Sequence, residues 1–306
     1  MPLPQFAYFE GKIVPYTEAK IGVMTHAFNY GTAAFGGIRA YWNAEEEQLF
    51  VFRPHGHFKR LLNSAHLLAT ETEHTPESLT EIALQVLRAE NLRRDMYLRP
   101  IFYKADEGIG VKLHGLRDEL TMFAVPFDRY VSNDTGAHVT ISSWRRIDDN
   151  MIPARGKISG AYVNSALAKS DAVRSGFDEA IVLTQDGHVS EGSAMNIFLV
   201  RDGVLLTPPV TDNILEGITR RTVITLAQEV LGLEVIERKI DRTEVFICDE
   251  LFMTGTAAQI TAVTKVDHRK IGNGEMGVIT ARLREIFDDA VHGRLPEYRY
   301  WNTPVF

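Results

Sequence analysis

The sequence predicts an α+β fold in two domains: a small N-terminal α/β domain and a larger C-terminal pseudo-barrel domain with helices packed around it. Three observations carry this. The 306 residues exceed what one small core organises and suit two domains. The first part of the chain mixes paired strands with two proline-opened helices. The second half runs through many short strands, hairpin turns and few helices.

The elements follow in order. Segments 6–9 and 12–15 flank Glu10-Gly11, a workable tight turn. Segments 38–42 and 48–52 form a second strand pair around an acidic loop at 44–47. Pro54 opens a helix in which Phe58, Leu61, Leu62, Ala65 and Leu68 repeat at helical spacing. Pro76 opens another, with Leu79, Ile82, Ala83, Val86 and Leu87 on one face. Segments 96–103 and 120–125 are apolar strands. The polar, turn-rich stretch 126–136 reads as an interdomain linker between a domain at 1–125 and one at 137–306. Beyond it, 139–143 alternates as a strand, and 161–174 is a helix stopped by Ser175-Gly176. Segments 179–184, 189–191, 196–200 and 204–207 are short strands, with Asp186-Gly187 and Asp202-Gly203 as hairpin turns. A helix at 218–231, strands at 234–239, 250–254 and 260–266, and a helix at 277–291 complete the chain.

Bulk properties narrow the function classes. A net charge of -7 without any Lys/Arg run points away from nucleic acid and anionic membranes. No window approaches the apolar length of a spanning helix, and the N-terminus lacks the regions of a signal peptide. The single cysteine, Cys248, forbids an intrachain disulfide framework and sits among apolar residues as a buried hydrophobe would. A cytoplasmic protein is expected. The ten histidines do not cluster at metal-ligand spacing, so no metal is expected, and His26, His66 and His74 read as capping or surface groups.

Four segments carry candidate chemistry. In Arg155-Gly156-Lys157-Ile158-Ser159-Gly160, a lysine lies between two glycines before a helix. Small neighbours let a bulky group approach, and a dehydrated lysine favours the neutral amine, a nucleophile toward an aldehyde. In Ser190-Glu191-Gly192-Ser193, a carboxylate precedes a strand; once buried it needs a partner such as a protonated ring nitrogen. Gly217-Ile218-Thr219-Arg220 opens a helix whose N–H groups and Thr hydroxyl suit a phosphate. Met253-Thr254-Gly255-Thr256-Ala257 ends a strand with hydroxyl and small residues, a second place for N–H groups to meet an anion. Taken singly, Lys157 also reads as a surface lysine, Glu191 as an exposed turn residue and Thr219 as a helix cap.

Together and in this order, these segments resemble the branched-chain aminotransferases, class IV pyridoxal-phosphate (PLP) enzymes of fold type IV. The resemblance runs from about Tyr8 to about Leu283. It includes Ser190-Glu191-Gly192 with Asn196, Gly217-Ile218-Thr219-Arg220 and Gly255-Thr256-Ala257. In the N-terminal half it includes Phe28-Asn29-Tyr30-Gly31-Thr32, Phe35-Gly36-Gly37-Ile38-Arg39 and Tyr97-Leu98-Arg99-Pro100. The resemblance implies that Lys157 forms the Schiff base with PLP and later moves the substrate proton. It implies that Glu191 faces the pyridine nitrogen, that Tyr162 hydrogen-bonds the phenolic oxygen, and that Arg60, Ile218, Thr219 and Thr256 bind the phosphate. For substrate it implies Tyr97 and the N–H groups of Thr256 and Ala257 on the α-carboxylate. Tyr30, Phe35, Gly37, Tyr130 and Tyr162 would line the side-chain pocket, with Arg99 for the distal carboxylate of glutamate. Gly108-Ile109-Gly110-Val111 resembles the loop that reaches a neighbouring subunit's site, so a homodimer or higher homo-oligomer is expected, with amino acids and 2-oxo acids as ligands.

Two positions depart. Gly36 stands where the family has Glu, and Phe127 where some relatives carry Trp, which bears on substrate range and not on the cofactor. Within the resemblance, transamination of D-amino acids or (R)-amines, and aminodeoxychorismate lyase chemistry, are alternatives. A catalytically inactive binding protein on the same scaffold is the reading from another class.

Overall fold

The computed structural model describes residues 2–127 and 136–306. The chain groups into two compact units. One comprises 1–128, 156–161 and 289–306; the other comprises 129–155 and 162–288. The segments 156–161 and 289–306, expected in the C-terminal domain, thus group with the N-terminal residues. Most of the expected linker, including Tyr130, lies outside the described residues.

The first unit is built on an antiparallel sheet. Its strands are β1 (Phe6–Phe9), β2 (Lys12–Pro15), β3 (Ala33–Phe35), β4 (Ile38–Asn43), β5 (Gln48–Phe52), β6 (Met96–Lys104) and β7 (Asp118–Pro126). A C-terminal strand, Asn302–Pro304, adds to the edge at β5. The order runs from that strand through β5, β4, β6, β7 and β1 to β2, with β3 also paired to β6. Three helices accompany it: α1 (His26–Tyr30), α2 (Pro54–His66) and α3 (Pro76–Glu90). The apolar stripes read from sequence are the buried faces: Phe58, Leu61 and Ala65 on α2, and Leu79, Ile82, Ala83, Val86 and Leu87 on α3. Thr75 and Ser78 form a reciprocal capping box at the start of α3.

The second unit holds a nine-stranded mixed sheet. Its strands are β8 (Ala137–Arg145), β9 (Glu179–Leu183), β10 (Val189–Gly192), β11 (Asn196–Arg201), β12 (Val204–Thr207), β13 (Val235–Glu237), β14 (Glu250–Gly255), β15 (Gln259–Val266) and β16 (Arg269–Lys270). The order is β10, β9, β8, β15, β14, β11, β12, β13, with β16 on β15. Strand β10 ends this order, yet a short turn closed by Gly192 N–H on Met195 C=O leads it straight into β11. The sheet therefore curls until its first strand meets its sixth, which is the expected pseudo-barrel. Val139, Ile181, Leu183, Val189, Ile197, Leu199, Met253 and Val263 fill it. Two parallel pairs, β8 with β9 and β12 with β13, are bridged by α4 (Tyr162–Arg174) and α5 (Ile218–Glu229) as crossovers. Glu250 accepts from the N–H groups of Ile279 and Thr280 and so caps α6 (Val278–Val291).

The α+β class holds, and the boundaries shift by a few residues. Three elements were not legible. Helix α1 has five residues and β3 has three, too short to display a period. The tail pairs with β5, and its Trp301 is buried. Strand 234–239 shortens to Val235–Glu237. Among the described residues, no helix is long and apolar enough to cross a membrane.

Candidate active site

In the first unit, the backbone of Lys157 is held on both sides. Its N–H donates to Ser64 Oγ (3.0 Å), and its C=O accepts from Phe35 N–H (2.9 Å). Ser64 in turn donates to the carbonyl of Arg60 (2.8 Å). Lys157 and Arg60 are thereby joined through one buried hydroxyl. On α2, His57, Arg60 and Ser64 recur at helical spacing and share a face. His57 is buried, and its Nδ1 has no hydrogen-bond partner. Burial pushes its pKa well below the ordinary histidine value, and the charges of Arg60, Lys157 and Arg53 push it further down.

From Lys157, cations and aromatic rings alternate. Lys157 Nζ lies 5.1 Å from the Phe35 ring centre, and the Arg99 guanidinium 4.8 Å from the same ring. Arg99 also donates to Tyr97 Oη (2.9 Å), and its Nε is buried without a partner. Tyr97 packs on Phe127 at 5.3 Å, and Arg39 lies 5.2 Å beyond that ring. The two-residue period of β6 puts Tyr97 and Arg99 on one face. Gly37 fits there because it lacks a side chain: a Cβ would sit 2.1 Å from Tyr97 Oη. Phe35, Gly37, Tyr97, Arg99 and Lys157 are thus brought together.

Tyr30 and Val111 belong to a neighbouring, more exposed cluster. Tyr30 Oη accepts from Gly110 N–H (3.1 Å). His26 bonds Thr32 Oγ1 (2.7 Å) and the Gly110 carbonyl (2.8 Å). That histidine, expected as a capping or surface group, is buried at the start of α1 and ties that helix to the 108–111 loop.

In the second unit, Glu191 is 4% exposed. Its Oε2 accepts from Asn196 Nδ2 (2.9 Å) and from Leu215 N–H (3.1 Å), and its Oε1 lies 3.0 Å from Arg146 Nη2. Asn196 Nδ2 also donates to the Leu215 carbonyl (2.9 Å). The carboxylate is therefore bound to the loop that opens α5. Gly217 is the N-cap of that helix and no side chain caps it. A Cβ on Gly217 would meet Asn196 Oδ1 at 2.1 Å. Ile218 and Thr219 are buried in the first turn, so Thr219 is not the cap it could have been. Thr256 and Ala257 lie half-buried in the turn after β14. Thr254, opposite Asn196 in the β11–β14 register, has a buried Oγ1 without a partner. Tyr162 is the first residue of α4 and half-buried.

This unit pairs a buried, ionically held carboxylate with the uncapped N-terminus of a 12-residue helix. The two sites suit a cationic ring nitrogen and a phosphate on one molecule. Cys248 is no nucleophile, since burial pushes its thiol up to about 12.

Arg146 and Ser64 were not singled out from sequence. Each acts through long-range contacts, and no spacing rule joins Arg146 to Glu191 or Ser64 to Lys157.

A family model described as amino-transferase class IV matches residues 34–266. A probable branched-chain-amino-acid aminotransferase of Aquifex aeolicus is 50% identical over 301 residues, 98% of this chain and 97% of its own length. The branched-chain-amino-acid aminotransferase of Escherichia coli K12 is 38% identical, over 98% and 97% of the two chains. Among solved structures, the branched-chain aminotransferase of Thermoproteus uzoniensis with norvaline superposes with a TM-score of 0.95 at 40% identity, covering 99% and 100%. The branched-chain amino acid aminotransferase of Thermobaculum terrenum in its PLP-form gives 0.94 at 38%, covering 99% of each chain.

Proposed function

This chain belongs to the class IV aminotransferases, of fold type IV, and from that membership we propose that it transfers the amino group between branched-chain L-amino acids and 2-oxoglutarate with pyridoxal phosphate as cofactor. The observation that carries this reading is Glu191, a buried carboxylate held by Arg146, Asn196 and Leu215 N–H beside the open N-terminus of α5. When bound, the cofactor supplies an electron sink for negative charge at the substrate Cα.

The chain's own residues do the rest. Lys157 Nζ would hold the cofactor's aldehyde carbon and would serve as the general base for the substrate Cα proton. Glu191 would face the ring nitrogen as a carboxylate and would keep a proton on it. Tyr162 donates to the phenolic oxygen. Arg60, the N–H groups of Ile218 and Thr219 and the hydroxyl of Thr256 take the phosphate. Tyr97 and the N–H groups of Thr256 and Ala257 orient the α-carboxylate.

Substrate range follows from the alternating stack. The face formed by Phe35, Gly37 and Tyr97 suits an apolar side chain, and Arg99 suits the distal carboxylate of glutamate. One pocket can then serve both half-reactions. Tyr30 extends its wall. In this reading, a small domain (1–125) and a large one (137–306) are joined through 126–136, and the enzyme works in the cytoplasm as a homodimer. Support for the dimer comes from the apolar residues around the 108–111 loop: Ile109 is 94% exposed and Val111 78%.

The test is a set of half-reactions followed by absorbance. Protein charged with pyridoxal phosphate is mixed with L-leucine, D-alanine or (R)-1-phenylethylamine. Loss of the yellow band with L-leucine alone is the expected result. Loss mainly with the D-amino acid or the (R)-amine would move the chain to a sister activity, and a protein that never takes up the cofactor band would overturn the reading.

A further inference from the structure

Glu191 is 4% exposed, and a lone carboxylate withdrawn from water drifts toward its neutral acid. A neutral Glu191 could not keep a proton on a ring nitrogen. The structure answers this with Arg146, whose Nη2 lies 3.0 Å from Glu191 Oε1, the two side chains being 11% and 5% exposed. Arg146 is itself fixed. Its Nε donates to the Asn213 carbonyl (2.9 Å) and its backbone N–H to the Leu183 carbonyl (2.8 Å). Its carbonyl accepts from Gln185 Nε2 (2.9 Å), and Asn213 Nδ2 donates to Asp148 Oδ1 (2.7 Å). Arg146, the residue after β8, is thus tied by its backbone to the end of β9 and by its guanidinium to the loop before α5 and to the functional carboxylate.

We infer that Arg146 is a positioning residue for the transamination: it fixes the Glu191 carboxylate in place and holds it in the ionised form. The inference rests on the role proposed for Glu191 and deepens it. Its physical content is a division of charge. Arg146 and Glu191 together are close to neutral, so a protonated ring nitrogen adds one positive charge to a carboxylate already shared with another cation. Without Arg146, Glu191 would be the stronger base and would hold the proton itself, leaving the ring nitrogen of a bound cofactor without one.

The experiment is a double-mutant cycle with Arg146→Met, Glu191→Gln and the double variant, and with Arg146→Lys as the conservative replacement. Two quantities are read: the thermal midpoint of cofactor-free protein, and kcat and KM for L-leucine in loaded protein. We expect Arg146→Met to lower kcat about 10- to 100-fold with KM within about threefold, because a charge-assisted contact is lost and no substrate contact is touched. Arg146→Lys restores part of that loss. In the Glu191→Gln background, Arg146→Met changes neither kcat nor the midpoint by more than about a third of its effect alone. Equal losses in both backgrounds would overturn the inference, since Arg146 would then act through Asn213 and the loop. Unchanged kcat and midpoint in Arg146→Met would overturn it too. If Arg146→Met does not fold, the double variant, with both charges gone, is expected to fold, and failure of both to fold counts against the inference. If wild-type protein takes up no cofactor, the functional reading fails, while the midpoints still report whether the two charges are coupled.

Discussion

At the scale of single residues, each unit surrounds its buried charges with fixed partners. Glu191 and Lys157 are held by neighbours distant in sequence, Arg146 and Leu215 for the first and Ser64 and Phe35 for the second, while Arg99 is held by Tyr97 two residues away and by the distant Phe35 ring. The clearest pH signal belongs to His57. Its folded pKa lies below the unfolded value of about 6.5, so the folded state favours the neutral imidazole. Its contribution to stability is therefore complete above about pH 6.5 and is lost as pH falls through and below that value. The unfolding free energy measured from pH 7.5 to 5 should fall by up to about 1.4 kcal/mol per pH unit through this one proton. His57→Asn should show a shallower slope, and equal slopes would refute the assignment. The candidates Lys157, Glu191 and Thr219 stood out in the sequence because they sit in short motifs with small neighbours. Arg146 and Ser64 did not, because a lone arginine after a strand and a lone serine in a helix look the same wherever they point.

At the scale of elements, the N-terminus of α5 is the part most exposed to a single change. Gly217 leaves room for Asn196 Oδ1, and Asn196 in turn holds Glu191. Gly217→Ala should force Asn196 aside at a cost of about 1–3 kcal/mol, by the usual penalty of overpacking. The melting temperature of cofactor-free protein and the affinity for pyridoxal phosphate should fall together. A variant that loses neither would show that Asn196 moves freely. The helices α2 to α6 and the longer strands were readable from apolar period and turn residues, since each has enough residues to display a pattern. Helix α1 and strand β3 were not, although they carry His26, Tyr30 and Phe35. Five and three residues give no period, and their conformation is set by the 108–111 loop, by β6 and by the Lys157 backbone.

At the scale of the whole molecule, the exposed apolar residues Val23, Phe28, Ile109 and Val111 argue for a second copy of the chain. Light scattering on wild-type protein should give the mass of a dimer or a multiple of it, and Ile109→Asp should shift the distribution toward monomer. A wild-type monomer at working concentration would refute the proposal. The sequence by itself determined the α+β class, the curled sheet as an arrangement of short strands, and the motifs that single out Lys157, Glu191 and the start of α5 as candidates. These are local facts: hydrophobic period, turn chemistry and residue type are written within a few positions of one another. Only the tertiary structure decided that 156–161 and 289–306 group with the N-terminal residues, that Arg146 meets Glu191, and that Ser64 links Lys157 to Arg60. Those pairings join residues tens of positions apart, and what selects them is the burial of charge and backbone polar groups, which no local pattern encodes.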